Sequence, residues 1–208
     1  MSRILITAED VERAARVGGV LKVSGPYVVP PSAQDRMLRL GVRIEPAEIP
    51  GQDLARTRGQ AVVALAADHG GYELKEEIRR TLEGLGYLVL DFGTKSREAV
   101  DYPDFAHRAA SAVAEGAADR AIVVDGAGIG SSMVANKVPG IRAAKCDSMF
   151  DVRNSRLHND ANVLALGARL ERGAALEMAR AWLETPFEGG RHERRVRKIM
   201  EVERKYRP

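Results

Sequence analysis

Ala121-Ile122-Val123-Val124-Asp125-Gly126-Ala127-Gly128-Ile129-Gly130 is an apolar run that breaks into a glycine turn, with a carboxylate where the two meet. The run reads as a strand covered on both faces, as strands of parallel sheets are. Glycines at alternate positions let the backbone fold tightly and leave N–H groups free to face an anion. Asp125 thus stands beside a candidate anion cradle and reads as a catalytic base.

The same rhythm extends in both directions. Residues 61–67 are another apolar run, and 73–85 form an amphipathic helix with Leu74, Ile78, Leu82 and Leu85 on one side. Leu88-Val89-Leu90 is the next strand, and 105–114 a helix of small residues. Strands follow at 141–145 and 163–166, then a helix at 174–184 and a charged helix from about Arg194. Strands alternating with helices predict an α/β fold, a doubly wound, five-stranded parallel sheet of Rossmann-like type. Ligands of such sheets gather beyond the carboxyl ends of the strands.

Residues 1–45 read as a small α/β module of their own. Thr7 caps a helix with Asp10 completing a weak capping box, and Gly18-Gly19 ends it. Val20–Val23 is a short strand. Pro30-Pro31-Ser32 opens a second helix through Leu40, closed by Gly41, and Val42-Arg43-Ile44 is another strand. Residues 46–60, with their prolines and glycines, read as a linker to the main domain at 61–208. No internal repeat is evident in the letters.

Composition excludes several classes. A 208-residue chain that is 45% hydrophobic and 29% charged suits a soluble globular protein. There is no apolar run long enough to cross a bilayer and no signal-peptide pattern at the start, so a cytoplasmic location is expected. Cys146 is the only cysteine, which rules out an internal disulfide, and it reads as a buried strand residue. The C-terminal arginines are interrupted by Glu193, Glu201 and Glu203, so helical ion pairing explains them better than nucleic acid. The spacing Gly126-x-Gly128-x-Gly130 is not that of a dinucleotide fingerprint.

Polar clusters flank the strands. Asp68-His69-Gly70-Gly71 follows the first and Asp125 ends the third. His158-Asn159-Asp160 precedes the fifth, Gly167-Ala168-Arg169 ends it, and Gly189-Gly190-Arg191-His192-Glu193-Arg194-Arg195 precedes the last helix. They are expected on one rim of one sheet. His107 reads as a helix-surface residue and His192 as one that orients its neighbours. No histidine–carboxylate spacing fits a metal, and none is expected.

The motifs Asp68-His69-Gly70-Gly71-Tyr72-Glu73-Leu74-Lys75, Asp91-Phe92-Gly93-Thr94, Asp101-Tyr102-Pro103-Asp104, Ala135-Asn136-Lys137-Val138-Pro139-Gly140-Ile141-Arg142-Ala143, His158-Asn159-Asp160-Ala161-Asn162-Val163-Leu164 and Gly189-Gly190-Arg191-His192 occur in order from Ala66 to about Lys198. This segment resembles the type B ribose-5-phosphate isomerase family, with its galactose-6-phosphate, allose-6-phosphate and tetrulose-phosphate relatives. The resemblance implies an aldose–ketose isomerase that works through an enediolate without metal or cofactor. It implies a homodimer, or a dimer of dimers, whose active sites draw on both subunits. By position His158 would open the sugar ring, with Asn159 holding the sugar or enediolate. Asp68 would bind hydroxyls, and His69, Arg169, Arg191 and Arg195 the phosphate. The N–H groups of Gly126 to Gly130 would hold the enediolate oxygen. Tyr102 and Ser131 complete the substrate-binding set.

The chain also departs from the family pattern. The usual base is a cysteine at the position of Asp125, some members carry a glutamate at that of Ser131, and the usual hydroxyl at position 127 is replaced by Ala127. Asp125 is the one acid left in the turn. The leading reading is interconversion of ribose 5-phosphate and ribulose 5-phosphate with Asp125 as base. The alternatives are a four- or six-carbon sugar phosphate, or an impaired sugar-phosphate-binding or assembly protein. Ile6-Thr7-Ala8-Glu9-Asp10-Val11 resembles segments of bacterial-microcompartment enzymes, which would make shell or core proteins partners of residues 1–45. A dimer-stabilising extension or a cap over the active site are the other readings of that module.

Overall fold

A computed structural model describes residues 4–23, 27–46 and 60–206. The chain divides into two compact units, within residues 1–55 and 56–208. The linker expected at 46–60 lies almost wholly outside the described residues.

The first unit runs β1 (Ile4–Leu5), α1 (Ala8–Arg16), β2 (Val20–Val23), β3 (Tyr27–Val28), α2 (Pro31–Leu40) and β4 (Arg43–Pro46). Thr7 caps α1 as its letters predict. Its hydroxyl accepts the Asp10 N–H at 3.3 Å while the Asp10 carboxylate accepts the Thr7 N–H at 2.9 Å. Pro31 opens α2 and Gly41, at φ 64°, closes it. β1 pairs in parallel with β3 and β2 with β4, each residue joining the one 23 positions on. The unit is therefore a tandem β-α-β repeat, which corrects the expectation of no internal repeat. Along that offset only Arg13/Arg36, Arg16/Arg39 and Gly18/Gly41 are identical, so the period lives in shape and not in letters. Ile6, Val11, Ala14, Val23, Ala33 and Val42 form its core.

The second unit continues with β5 (Val62–Ala67), α3 (Tyr72–Gly84), β6 (Leu88–Asp91), α4 (Tyr102–Ala114), β7 (Arg120–Asp125), α5 (Ile129–Ala135), β8 (Ala143–Lys145), α6 (Met149–Asn159), β9 (Val163–Gly167), α7 (Arg172–Glu184) and α8 (Arg191–Tyr206). The five strands pair in the order β6-β5-β7-β9-β8, all parallel. β5 and β9 are buried throughout, and β7 from its second residue, as continuous apolar runs require when helices cover both faces. One face packs on Leu74, Ile78, Met178 and Trp182. The other packs on an alanine surface at Ala106, Ala109 and Ala110 that lets α4 lie close to the sheet. No helix of the described residues is long and apolar enough to cross a membrane.

The boundaries differ from expectation in instructive ways. β8 begins at Ala143 and not at 141, because the Arg142 N–H is taken by the Asn162 side chain at 2.8 Å. Cys146 lies just past β8 and remains buried, its N–H still bonded to Ala165 O. Leu85 is not on the buried stripe of α3 but half exposed beyond its end. α4 and α8 start earlier than expected, at Tyr102 and Arg191.

Direction matters most for function. All five strands point the same way, so Arg120 and Asp125, at the two ends of β7, are about 17 Å apart. α6 and α7 run back against the strands and finish at the amino edge. There Arg120 donates to the carbonyls of Trp182 and Leu183, and buried Arg156 donates to that of Thr185 at 3.2 Å.

Candidate active site

The expectation that every polar cluster shares one rim is corrected by this geometry. Asp68, His69, Tyr102, Asp125, Gly126, Gly128, Gly130, Ser131 and Arg169 belong to the carboxyl edge of the sheet. His158, Asn159, Arg191 and Arg195 belong to the amino edge, where α6 ends and α8 begins. Sequence spacing ties His158 to β9 but does not say at which end of the strand it stands.

At the carboxyl edge Asp125 is buried, and the glycine turn closes around it. One carboxylate oxygen accepts the N–H of Ala127 at 2.8 Å and that of Gly128. The other accepts the N–H of Ser131 at 2.8 Å. The N–H groups of Ala127 and Gly128 are among those of Gly126 to Gly130 expected to hold an enediolate oxygen. In the structure the loop spends those of Ala127, Gly128 and Ser131 on its own carboxylate. Burial pushes the Asp125 carboxyl up, but the Ser131 hydroxyl and the Ser131, Ala127 and Gly128 N–H groups together hold it below the usual carboxylate range. Gly128 makes the turn possible, since it sits at φ 74° and a Cβ there would lie 2.9 Å from Leu166 C. Gly130 admits the Tyr102 ring, whose atoms would be 2.5 Å from a Cβ at that position.

Ser131→Ala removes one of the bonds that depress Asp125. If Asp125 acts as base, its folded pKa rises and the acid limb of the pH–rate profile moves to higher pH. A profile unchanged from wild type would separate Asp125 from the rate.

Neighbouring groups frame this edge. Asp68 is buried and accepts the Gly71 N–H at 2.9 Å, which fixes the turn after β5. His69 Nδ1 lies 3.2 Å from both the N–H and the carbonyl of Val100, which directs Nε2 away from that segment. A cavity of about 280 Å³ opens beside it, lined by His69, Gly70, Glu73, Leu74, Arg97 and Arg172 together with Ala168. Cys146 is no substitute base, because burial pushes its thiol up to about 11.

At the amino edge α6 ends at Asp160, in the left-handed region at φ 45°, where Arg142 and Arg156 both bind its carboxylate. That stop presents His158 and exposed Asn159. The His158 ring stacks on that of His192, with centroids 4.1 Å apart and planes at 7°. Asn154 Nδ2 donates to His158 Nδ1 at 3.0 Å, and Glu188 Oε2 lies 3.6 and 3.7 Å from the Nε2 atoms of His158 and His192. His192 is buried. Arg191 Nε donates to its Nε2 at 3.1 Å and Arg195 Nη1 approaches its Nδ1 at 3.4 Å.

The absence of any metal-like spacing therefore needs correction. Glu188 and His192, four apart in sequence, meet His158 from thirty residues earlier, and the three lie within 4.8 Å of one another. The chemistry still does not suit a cation, because Arg191 occupies the His192 lone pair and two guanidinium groups flank the ring. An anion suits the same surroundings. His107, in α4, lies 3.5 Å from Ser111 Oγ and has no part in either cluster.

Sequence reasoning overlooked Lys75, Asn154, Glu188 and the turn-capping role of the Ser131 N–H. Lys75 and Glu188 stand in or beside quoted motifs but carry no signal that separates a buried partner from a solvated charge.

A carboxylate and imidazoles able to move protons, on a doubly wound sheet with guanidinium groups suited to a phosphate, are the equipment of aldose–ketose isomerases of phosphorylated sugars. Residues 63–199 match the family model described as Ribose/Galactose Isomerase, and the chain belongs to that family. It is 44% identical over 147 residues to ribose-5-phosphate isomerase B of Escherichia coli, covering 69% of this chain and 97% of that one. It is 40% identical over 139 residues to D-erythrulose-4-phosphate isomerase of Pectobacterium atrosepticum, covering 66% and 91%. The solved ribose-5-phosphate isomerase B of Clostridium thermocellum superposes with a TM-score of 0.69 at 53% identity, covering 70% of this chain and 99% of that one.

Proposed function

We propose that the chain interconverts ribose 5-phosphate and ribulose 5-phosphate, in active sites that each draw on two copies of the chain. The observation that carries this is the division of the polar groups between opposite ends of parallel strands. A twofold pairing lays the amino edge of one copy against the carboxyl edge of the other, and does so twice. Each site then has His158 and Asn159 of one chain facing Asp125, Asp68 and Tyr102 of its partner.

His158 gives a proton to the ring oxygen as the C1 hydroxyl loses one, which opens the furanose. Asp125 takes the C2 proton and returns it to C1 through an enediolate, while a proton passes from the C2 hydroxyl to O1. Arg191 and Arg195 from one side, with His69 and Arg169 from the other, hold the phosphate. A carboxylate is chemically competent as such a base, as the glutamate of triosephosphate isomerase demonstrates.

Mixing two inactive variants tests the shared site. Asp125→Asn and His158→Ala, co-expressed in equal amounts, should recover about a quarter of wild-type activity, because half of the dimers are mixed and each has one intact site. Sites built within one chain would recover none.

The similarity to an erythrulose-4-phosphate isomerase favours a second substrate reading. A tetrose 4-phosphate has no free hydroxyl with which to close a furanose, so His158 has no ring to open. Turnover of a tetrose phosphate that survives His158→Ala and exceeds that of ribose 5-phosphate would select this reading.

The repeat unit at the N-terminus lies outside the family match and is proposed as a separate module, in keeping with its resemblance to microcompartment enzymes. Deleting residues 1–58 should leave a folded, active isomerase. An insoluble or monomeric remainder would make the module structural instead.

A further inference from the structure

We propose that His192 couples phosphate binding to proton uptake: a dianion that draws Arg191 and Arg195 onto itself lets His192 protonate and become a third cation beneath the anion. This rests on the reading of Arg191 and Arg195 as phosphate ligands.

The geometry is that of a ring crowded by positive charge. Both nitrogens of His192 face a guanidinium group, at 3.1 Å for Arg191 and 3.4 Å for Arg195. A neutral imidazole has one acceptor nitrogen and one N–H, so it can satisfy only one of the two arginines. The ring is buried, and one face is covered by His158. Glu188, 3.7 Å from Nε2, is the acidic group that faces it among the described residues. The charged and titratable groups around the ring are thus Arg191 and Arg195 on α8, His158 on α6 and Glu188 just before α8.

The balance disfavours the imidazolium. Burial pushes the His192 imidazole below its ordinary value. The facing His158 pushes the same way, as do Arg191 and Arg195, against the opposing pull of Glu188. A bound dianion offsets the two guanidinium charges and turns their N–H groups away from the ring. The repulsive part of the balance then falls, Glu188 remains, and the midpoint for protonation rises. A proton is taken up from solvent wherever the pH lies between the free and bound midpoints. By reciprocity the dianion binds more tightly as the pH falls through that interval.

Sulfate is the probe, because it does not titrate near neutral pH and every proton counted comes from the protein. Calorimetry of sulfate binding to the full chain, in two buffers of different ionisation enthalpy, should give buffer-dependent heats that report a fractional proton taken up per site. His192→Asn should bind sulfate with buffer-independent heat. The imidazole proton signals provide a second reading that needs no variant. The chain has four histidines, and the His192 signal should titrate at higher pH with sulfate than without it. Sulfate bound by wild type with buffer-independent heat, or with the same uptake in His192→Asn, would overturn the coupling and leave the arginine site standing. Sulfate binding that is absent, or indifferent to Arg191→Ala and Arg195→Ala, would remove the phosphate site and the coupling together.

Discussion

If Asp125 is the base, Asp125→Asn should lower the isomerisation of ribose 5-phosphate by about 10²–10⁴-fold and abolish solvent deuterium exchange at C2. The substitution keeps shape and removes the basic charge. An amide oxygen can still accept the Ala127 and Gly128 N–H groups, whereas the amide nitrogen would face the Ser131 N–H, donor against donor. That mismatch costs about 1–3 kcal/mol. Thermal unfolding therefore has to be measured beside turnover, so that a folded but inactive variant is distinguished from an unfolded one. Full activity in Asp125→Asn would make the carboxylate a clamp for the glycine turn and nothing more. Three N–H groups already bind the carboxylate, so a proton from carbon must reach the lone pair they leave open or displace one of them. Because the folded carboxyl is held low, the stability it contributes is present above the unfolded carboxyl's pKa and is lost as the pH falls through the folded one.

The second large effect is on folding. Lys75 is completely buried, with Nζ 2.7 Å from Glu76 and 2.5 Å from Asp91 at the end of β6. Lys75→Met preserves the stem and deletes the cation, which leaves Asp91 without its cationic partner while Glu76 keeps Arg79 at 2.9 Å. A broken buried pair usually costs about 3–5 kcal/mol. Both acids here are about a fifth exposed and can recruit water, so about 2–4 kcal/mol is expected. The melting temperature should fall by roughly 5–15 °C, read by calorimetry or circular dichroism. A change within a degree or two of wild type would mean that the pair only breaks even against its desolvation.

The architecture of the second unit is legible in the sequence because its strands are apolar on both faces and its helices are not. β5, β7 and β9 stand almost where their letters put them, and so does the turn that follows β7. Two things are not legible. The first is polarity within the sheet. Spacing makes His158 a neighbour of the glycine turn, yet its helix runs back to the opposite edge, and a lone chain keeps the two about a strand's length apart. The second is where N–H groups point. Alternate glycines promise free donors, but a carboxylate at the head of the turn is an internal anion and takes the N–H of Gly128, with those of Ala127 and Ser131. The contacts of His158 with Glu188 and His192 are hidden for a plainer reason: they join segments that meet only after α6 and α7 have packed.

Among the described residues of the N-terminal unit, every strand finds its hydrogen-bonding partner in the other copy of the repeat and none within its own. Neither half contains a complete pair, so the connection between the copies acts as a tether that holds two complementary pieces at high effective concentration. A change that harms one half deprives both, and the unit should gain or lose its structure in a single step.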